Sequence, residues 1–450
     1  MSQATRILLA LVAGLALGIF AAAQGFAAIA TLIAQPISTV WPALALGIVA
    51  AGQGFSAIGI AIAEPIGTAW LNGLQMTIVP LVVSLLVIGI AATADAARAG
   101  QLATRAMITF MVLLWSGAIM AAFVTPALLE LWPIDPAAGA ALKASLPDVK
   151  AIGEVPPFGD FLAAIVPSNP VSAAANSAFL PLIVFTLAFA FAITRLPKPP
   201  RELLVAFFAA VADAMIVVIG WVLWLGPIGV FALAFLVGAK AGSEAFGALL
   251  HYVLIVTSVG TVLWIASFFL GAIGGRVSIV KFARATASAQ AVAISTQSSL
   301  ASLPAMLRGA EQIGVHTQHS GIILPLAVAV FRATGPAMNL AVAIYIAVLF
   351  GVELTWQNLA AGVAVASITT LGAVSLPGSI TFVSSIAPIA AAMGVPIAPL
   401  GLLVAIETFP DIMRTLGNVT MDLAVTATLS ARAAPAPITP EDLLIEGQTA

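Results

Sequence analysis

The 450-residue chain contains no cysteine, only three histidines and only two tyrosines. Without cysteine there are no disulfides, no thiolate nucleophile and no thiolate metal site. Charged residues make up 8% of the chain and the formal net charge is −2, so there is no basic footprint for nucleic acid. The apolar/polar alternation of a membrane β-barrel is also missing. What is present is apolar: 62% hydrophobic residues, with a mean hydropathy of +1.15, in long runs separated by short polar turns. With a barrel excluded, only helices satisfy backbone polar groups in lipid, so the expected class is an all-α polytopic membrane protein. Arg6 precedes the first apolar run as in a signal peptide. That run is too long, and no cleavage site leads into a soluble domain, so it is expected to stay in the membrane.

Residues 1–69 contain a tandem duplication. Gln24-Gly25-Phe26 recurs as Gln53-Gly54-Phe55, and Gln35-Pro36-Ile37 through Trp41 recurs as Glu64-Pro65-Ile66 through Trp70, at a constant offset of 29 residues. Each copy is about one membrane span long at 1.5 Å per residue. A spanning helix with an interfacial start follows from Trp70 to Ile90, then a third apolar run from Ala106 to Leu131. The polar connection from Ile134 to Asp160 reads as an exposed loop. Pro167 and Pro170 in IVPSNP should segment the span that ends near Leu196, and GPIGVFAL (Gly226 to Leu233) interrupts the end of the next helix. Ten Lys/Arg fall in the turns at 98–105, 195–201, 276–284, 308 and 432, against Lys143, Lys150 and Lys240 on the other side. That asymmetry places the first set, and the C-terminus, in the cytoplasm. The residues from 433 to 450, rich in proline and acids, are expected to be disordered.

From Ala285 onward the pattern changes. Ala293–Leu307 and Ser367–Ser385 are hydroxyl-rich, each contains Leu-Pro, and both are too polar and broken to span lipid as ordinary helices. They are expected to be re-entrant hairpins, since irregular backbone survives at membrane depth only where it lines protein or a cavity. Between them, Leu324–Gly351 is interrupted at Arg332, Thr334, Gly335, Pro336 and Asn339, the pattern of a discontinuous transport helix. The last apolar helix, Ala405–Thr428, carries Glu407, Asp411, Arg414, Asn418 and Asp422 at steps of 4, 3, 4 and 4. That spacing puts the five on one helical face, opposite Leu416, Val419 and Leu423, and the face should look into a polar cavity. Ionisable groups inside a membrane are costly and are functional candidates by default.

Five motifs in order (VPSNP at 166–170, PIGVFAL at 227–233, SLP at 302–304, LPG at 376–378, and D-x-x-R-T-x-x-N-V-x-x-D at 411–422) resemble the dicarboxylate/amino acid:cation symporter family over roughly residues 70–429. The resemblance implies about eight spanning helices, plus an extra N-terminal segment if both copies span, and two re-entrant hairpins. It also implies a homotrimer in the cell's inner membrane, with residues 70–280 mainly scaffold and trimerisation helices, and 281–432 a transport core that moves as an elevator. The helix at about 106–131 would join that core. By resemblance, Arg414 would hold a substrate carboxylate and Asp411 the substrate amino group. Thr415 and Asn418 would contact its main-chain end, and Ser298, Ser299, Ser375 and Gly378 would line the hairpin tips. Asp422 would help bind sodium, and Glu407, Arg332, Thr334 and Asn339 join it as coupling-ion candidates.

One departure bears on coupling. Counted without gaps from Pro325, the family's Asn-Met-Asp-Gly-Thr sodium signature falls on Phe331-Arg332-Ala333-Thr334-Gly335, so its Asn and Asp are gone. Gln297 stands where some archaeal relatives carry an arginine. Arg332 and Arg414 against Glu407, Asp411 and Asp422 leave a buried charge of −1. Arg332 then reads as a tethered cation replacing one sodium, and Glu407, taken as unpaired, as the carrier of a coupling proton; its pairing with Arg332 as a structural bridge is the alternative. The expected activity is symport of an acidic amino acid or C4-dicarboxylate with protons, sodium or both. An uncoupled channel or exchanger, and a neutral-solute carrier, are the alternatives. No cofactor beyond a possible sodium ion is implied. An enzyme is disfavoured: the serine clusters have no nearby base, and His316 and His319 lack a third metal ligand.

Overall fold

The computed structural model describes residues 3–22, 32–35, 42–98, 101–145, 166–176, 178–241, 244–370 and 378–433. Among them there is no strand, and five helices are long and apolar enough to cross a membrane. The chain is an all-α polytopic membrane protein. Its first helix, α1 (Gln3–Ala22), is followed by α2 (Pro42–Gln75), which carries the whole second repeat copy in one helix. The first copy's Gln24-Gly25-Phe26 and Pro36 through Trp41, and the tail from 434, lie outside the described residues.

Prolines set most of the breaks. Pro80 has no N–H for the Met76 carbonyl and its ring crowds that turn, so α2 ends at Gln75 and α3 (Ile78–Arg98) restarts with Pro80 in its first turn. α4 (Gln101–Leu131) absorbs Pro126 and stays continuous. The start of the polar connection is not an exposed loop. Asp135 caps α5 (Pro136–Ser145) by accepting from Ala137 and Ala138, and Ala138 and Leu142 are buried. Within VPSNP, Asn169 accepts from Val171 and Ser172 and Pro170 opens the short α6 (Pro170–Ala175), which hands over to α7 (Phe179–Arg195). The proline pair therefore segments the chain as expected. α8 (Lys198–Trp224) breaks at Leu225, and Gly226-Pro227 starts α9 (Gly226–Ala241). GPIGVFAL thus begins a helix rather than ending one.

α1 lies along α9 at backbone contact. A Cβ on Gly14 or Gly18 would strike the Phe231 and Phe235 carbonyls, and one on Gly238 would strike the backbone of α1. Small residues on both helices permit this approach, which replaces side-chain packing by backbone van der Waals contact. On the other side of α9, Trp70 of α2 fills the space over Gly229 and donates Nε1–H to the Val222 carbonyl at 2.9 Å.

α10 (Glu244–Phe269) runs into a π turn (Leu270–Gly274) and leads to the first hairpin, α11 (Ile279–Thr296) and α12 (Ser299–Gln312). Its tip is the two-residue turn Gln297-Ser298, and Pro304 sits within α12 rather than at the tip. α13 (Thr317–Val330) and α14 (Gly335–Phe350) are the halves of the discontinuous helix. α15 (Trp356–Thr370) and α16 (Gly378–Ala392) pack together as arms of the second hairpin, and the short α17 (Leu400–Leu403) leads into α18 (Thr408–Ser430). α18 packs against α10, α11, α12 and α13. Val419 and Leu423, on the face expected to oppose the charges, are as buried as the charges themselves. On the same side of the first half, however, Phe409 is half-exposed and Ile412, Met413 and Leu416 are only partly buried, so the helix is two-faced before Gly417 and enclosed on all sides from there to Leu429.

We expect Gly18→Leu to separate α1 from α9 and to destabilise the protein by about 1–3 kcal/mol or more. Gly220→Leu, where nothing stands within 4 Å of an added Cβ, should be neutral. Thermal unfolding in detergent, followed by intrinsic tryptophan fluorescence, checks both.

Candidate functional site

The site forms where α18 meets the break between α13 and α14. Pro410 cannot donate to the Ile406 carbonyl, so α18 begins at Thr408, with Glu407 at its N-terminal boundary. The five polar residues of the stripe follow down one side, and Glu407, Asp411, Arg414, Asn418 and Asp422 are all 5% exposed or less. Arg414 is the hub. Its Nη1 donates to Glu407 Oε1 and, at 3.2 Å, to Asp411 Oδ1, and its Nη2 reaches Asn339 Oδ1 at 3.4 Å. Glu407 therefore pairs with Arg414 and is not the unpaired carboxylate expected from sequence. Arg414 Nε and Glu407 Oε2 are buried without a hydrogen-bond partner.

Asn418 performs a different task. Its Oδ1 accepts from the backbone N–H of Thr334 at 2.9 Å and from the Thr334 hydroxyl at 2.8 Å. The Thr334 hydroxyl also lies 2.9 Å from the Arg414 carbonyl, its second possible acceptor. The start of α14 is thus tied to α18 through Thr334. Gly417 makes the tie possible, because a Cβ there would come within 2.5 Å of Thr334 Cγ2. Phe331, the first residue of the break, stacks on Phe110 of α4 with ring centroids 4.5 Å apart. Arg332, between these two anchors, is only partly buried and lines a cleft together with Arg414 and Asn339. Its field reaches Asp411 and Asp422. Asp422 is fully buried, and neither carboxylate oxygen has a hydrogen-bond partner. A charge in that position is costly unless a proton or a cation joins it.

The remaining wall of the cleft comes from the second hairpin: Thr370 at the end of α15, and Thr381, Phe382 and Ser385 on α16. Sequence reasoning selected this hairpin but chose Ser375 and Gly378 within it. Ser375 lies outside the described residues, and Gly378 is the first residue of α16. The missed signal was the hydroxyl content of the arms, which flank the Leu-Pro-Gly instead of coinciding with it. Ser298 and Ser299 hold the first hairpin's tip and do not line this cleft. Ser298 Oγ accepts from the Ala301 N–H at 3.2 Å as the cap of α12. Gln297 beside it is left-handed (φ 51°), a strained conformation for a residue with a Cβ. Thr415 donates its hydroxyl to the Asp411 carbonyl within α18. His316 and His319 lie away from the cluster, with ring centroids 5.8 Å apart and His319 Nδ1 2.9 Å from Ser430 Oγ.

Unwound backbone between two half-helices, a buried ion cluster and flanking helical hairpins define a membrane transporter core rather than an enzyme's active site. The chain belongs to the sodium:dicarboxylate symporter family, whose family model matches residues 4–432. It is 27% identical over 369 residues to a C4-dicarboxylate transport protein of Laribacter hongkongensis, covering 79% of this chain and 80% of the relative. It is 27% identical over 360 residues to the proton/glutamate-aspartate symporter of Escherichia coli (77% and 79% covered). The same identity holds over 361 residues to a proton/sodium-glutamate symport protein of Bacillus subtilis (77% and 80%).

Gly417→Ala should push Thr334 off Asn418 and lower uptake by about tenfold, equivalent to about 1.4 kcal/mol. Adding Thr334→Ser removes the clashing methyl, keeps the hydroxyl and should restore uptake; failure of this rescue would show that Gly417 acts otherwise.

Proposed function

We propose that this protein is a secondary active symporter that carries an acidic amino acid or a C4-dicarboxylate across the cell's inner membrane. The observation that carries this reading is the buried Arg414 guanidinium, facing a cleft while two carboxylates already compete for it. A planar guanidinium matches a carboxylate fork, and a substrate carboxylate would displace Glu407 and Asp411 from it. Displaced carboxylates in a dry core need a proton or another cation, which couples substrate entry to ion entry. The cluster carries three carboxylates and two arginines, so an anionic substrate adds negative charge to a site already at −1. Glu407, released by substrate, would take a proton. Asp422, with two unpartnered oxygens, would take a proton or sodium. Arg332 occupies the break as a fixed cation, in place of the oxygen ligands that a bound sodium needs.

In this reading hairpins, broken helix and α18 move together as an elevator against scaffold helices drawn mainly from residues 70–280, in a homotrimer embedded in lipid. The C-terminus faces the cytoplasm, as the basic turns suggest. The similarity to symporters of glutamate, aspartate and C4-dicarboxylates supports the substrate class. The extensive burial of α18 supports motion of its surroundings as a unit.

The test is uptake of labelled succinate and aspartate by proteoliposomes under separate proton and sodium gradients. Accumulation on a proton gradient alone is expected, and strict sodium dependence would overturn the role given to Arg332. Arg414→Ala should reduce uptake of both anions at least about a hundredfold, the cost of losing a charged, desolvated hydrogen-bond partner. Asp422→Asn should abolish gradient-driven accumulation while leaving substrate exchange between equal internal and external pools measurable. Unchanged accumulation would remove Asp422 from the coupling step.

A further inference from the structure

The chain's two tyrosines lie together beside the ion cluster, and only one of them is occupied. Tyr345 of α14 donates its hydroxyl to the Ala248 carbonyl at 3.0 Å and lies 3.1 Å from His251 Nδ1. Tyr252 of α10, edge-on to Tyr345 with ring centroids 5.2 Å apart, is fully buried, and its Oη has no hydrogen-bond partner among the described residues. A buried hydroxyl left unmatched costs about 1–3 kcal/mol, so its presence asks for a reason. α10 and α18 run side by side in the same direction, since a Cβ on Gly260 would meet Met413 and one on Gly274 would meet Thr428. At that register Tyr252 falls level with Glu407, and the charges of Glu407 and Arg414 both act on it. Glu407 Oε2 is likewise buried without a partner among the described residues, while Oε1 is held by Arg414. An idle donor and an idle acceptor therefore stand at the same depth on neighbouring helices.

We infer that Tyr252 is a positioning residue: when a substrate carboxylate takes Arg414, the Tyr252 hydroxyl receives Glu407 through Oε2. This rests on the symporter reading and deepens it. A phenol both donates and accepts, so it can partner the released carboxyl with or without a proton. The two states do not gain equally, because a hydrogen bond to the ionised form is about twice as strong as one to the neutral acid. Tyr252 thus stabilises released Glu407 most as a carboxylate, and so sets how acidic the medium must be before loading draws in a proton there. The other groups that act on Glu407 are Arg414 and Asp411 of its own helix. Arg332, from the helix break, acts on those two, and Tyr345 of α14 stands behind Tyr252.

The test is equilibrium binding of tritiated succinate and L-aspartate to the purified full-length protein, wild type and Tyr252→Phe, at acid and at alkaline pH. The substitution removes one oxygen and keeps the ring. At alkaline pH, Glu407 leaves Arg414 as a carboxylate and finds no donor in the variant, so affinity for whichever anion binds should fall by about tenfold. At acid pH the released group carries its own proton, and the loss should shrink to about threefold or less. A packing defect would weaken binding equally at both. In a Glu407→Gln background no carboxylate is released, and Tyr252→Phe should lose this pH-dependent difference. Equal affinities of wild type and Tyr252→Phe at alkaline pH, a loss independent of pH, or the same pH-dependent loss in the Glu407→Gln background would each overturn the inference. If Glu407→Gln fails to fold, the pH comparison of Tyr252→Phe with wild type decides alone. Failure of the wild-type protein to bind either anion would instead overturn the symporter reading, and the role of Tyr252 with it.

Discussion

The structure depends on how a guanidinium is kept inside a helical membrane protein. Arg414 would be prohibitively costly in an apolar core by itself, and two carboxylates and an amide meet it there. Glu407 reaches it from the N-terminal boundary of α18 and Asp411 from one turn away, so much of the neutralisation is local to a single helix. Proline at position 410 sets that local geometry by forcing the helix to begin where it does. The rest of the core is arranged around the resulting polar column. α10, the first hairpin and α13 pack against α18, and the break between α13 and α14 turns the Thr334 N–H toward that column. Leaving one partner unpaired would cost several kcal/mol, about 3–5 for a broken buried pair. That cost makes a ligand that competes for Arg414 energetically consequential.

Much of this was legible in the residues, for identifiable reasons. Steps of three and four along α18 are a backbone property, so the shared face of Glu407 through Asp422 followed without knowledge of any neighbour. Pro336 and Gly335 mark the broken helix, and hydroxyl-rich runs too polar to face lipid mark the hairpins. Pairing across or along elements was less legible. Helical periodicity says which residues share a face but not which acid a given arginine selects, and Glu407 pairs with Arg414, not with Arg332. Periodicity also gives the apolar face opposite the charges, but not that neighbouring helices bury that face from Gly417 onward. α5 was read as an exposed loop because its lysine and flanking acids look solvated. Its alanines and Leu142 pack inward, and the signal in ten residues is weak. The cleft wall on α15 and α16 is not marked by Leu-Pro-Gly, because the side chains that reach the cleft lie on the flanking arms.

Membership of the sodium:dicarboxylate symporter family sharpens the significance of Arg332. Where oxygen ligands for a hard cation are expected in this fold, the chain holds a guanidinium, Phe331 stacked on α4, and Thr334 bound to Asn418. These are mutually consistent changes. The aromatic ring anchors one end of the break by dispersion, and Thr334 anchors the other by its hydrogen bonds to Asn418. Asp422 alone among the acids of the cluster has neither oxygen hydrogen-bonded.

The burial of α14 has a mechanical consequence. From Gly335 to Ala347 every residue is buried, on all faces of the helix, with no lipid-facing stripe along which it could slip. A rod held on every side cannot shift along its axis or rotate without carrying its neighbours. Arg332 and Thr334 sit at the end of that rod, and Thr334 is bound to α18. The charges at the helix break are therefore geared to the bulk of the core. Any displacement that brings them from one face of the membrane toward the other must be shared by the helices that grip α14, so a local rearrangement of one side chain cannot substitute for it.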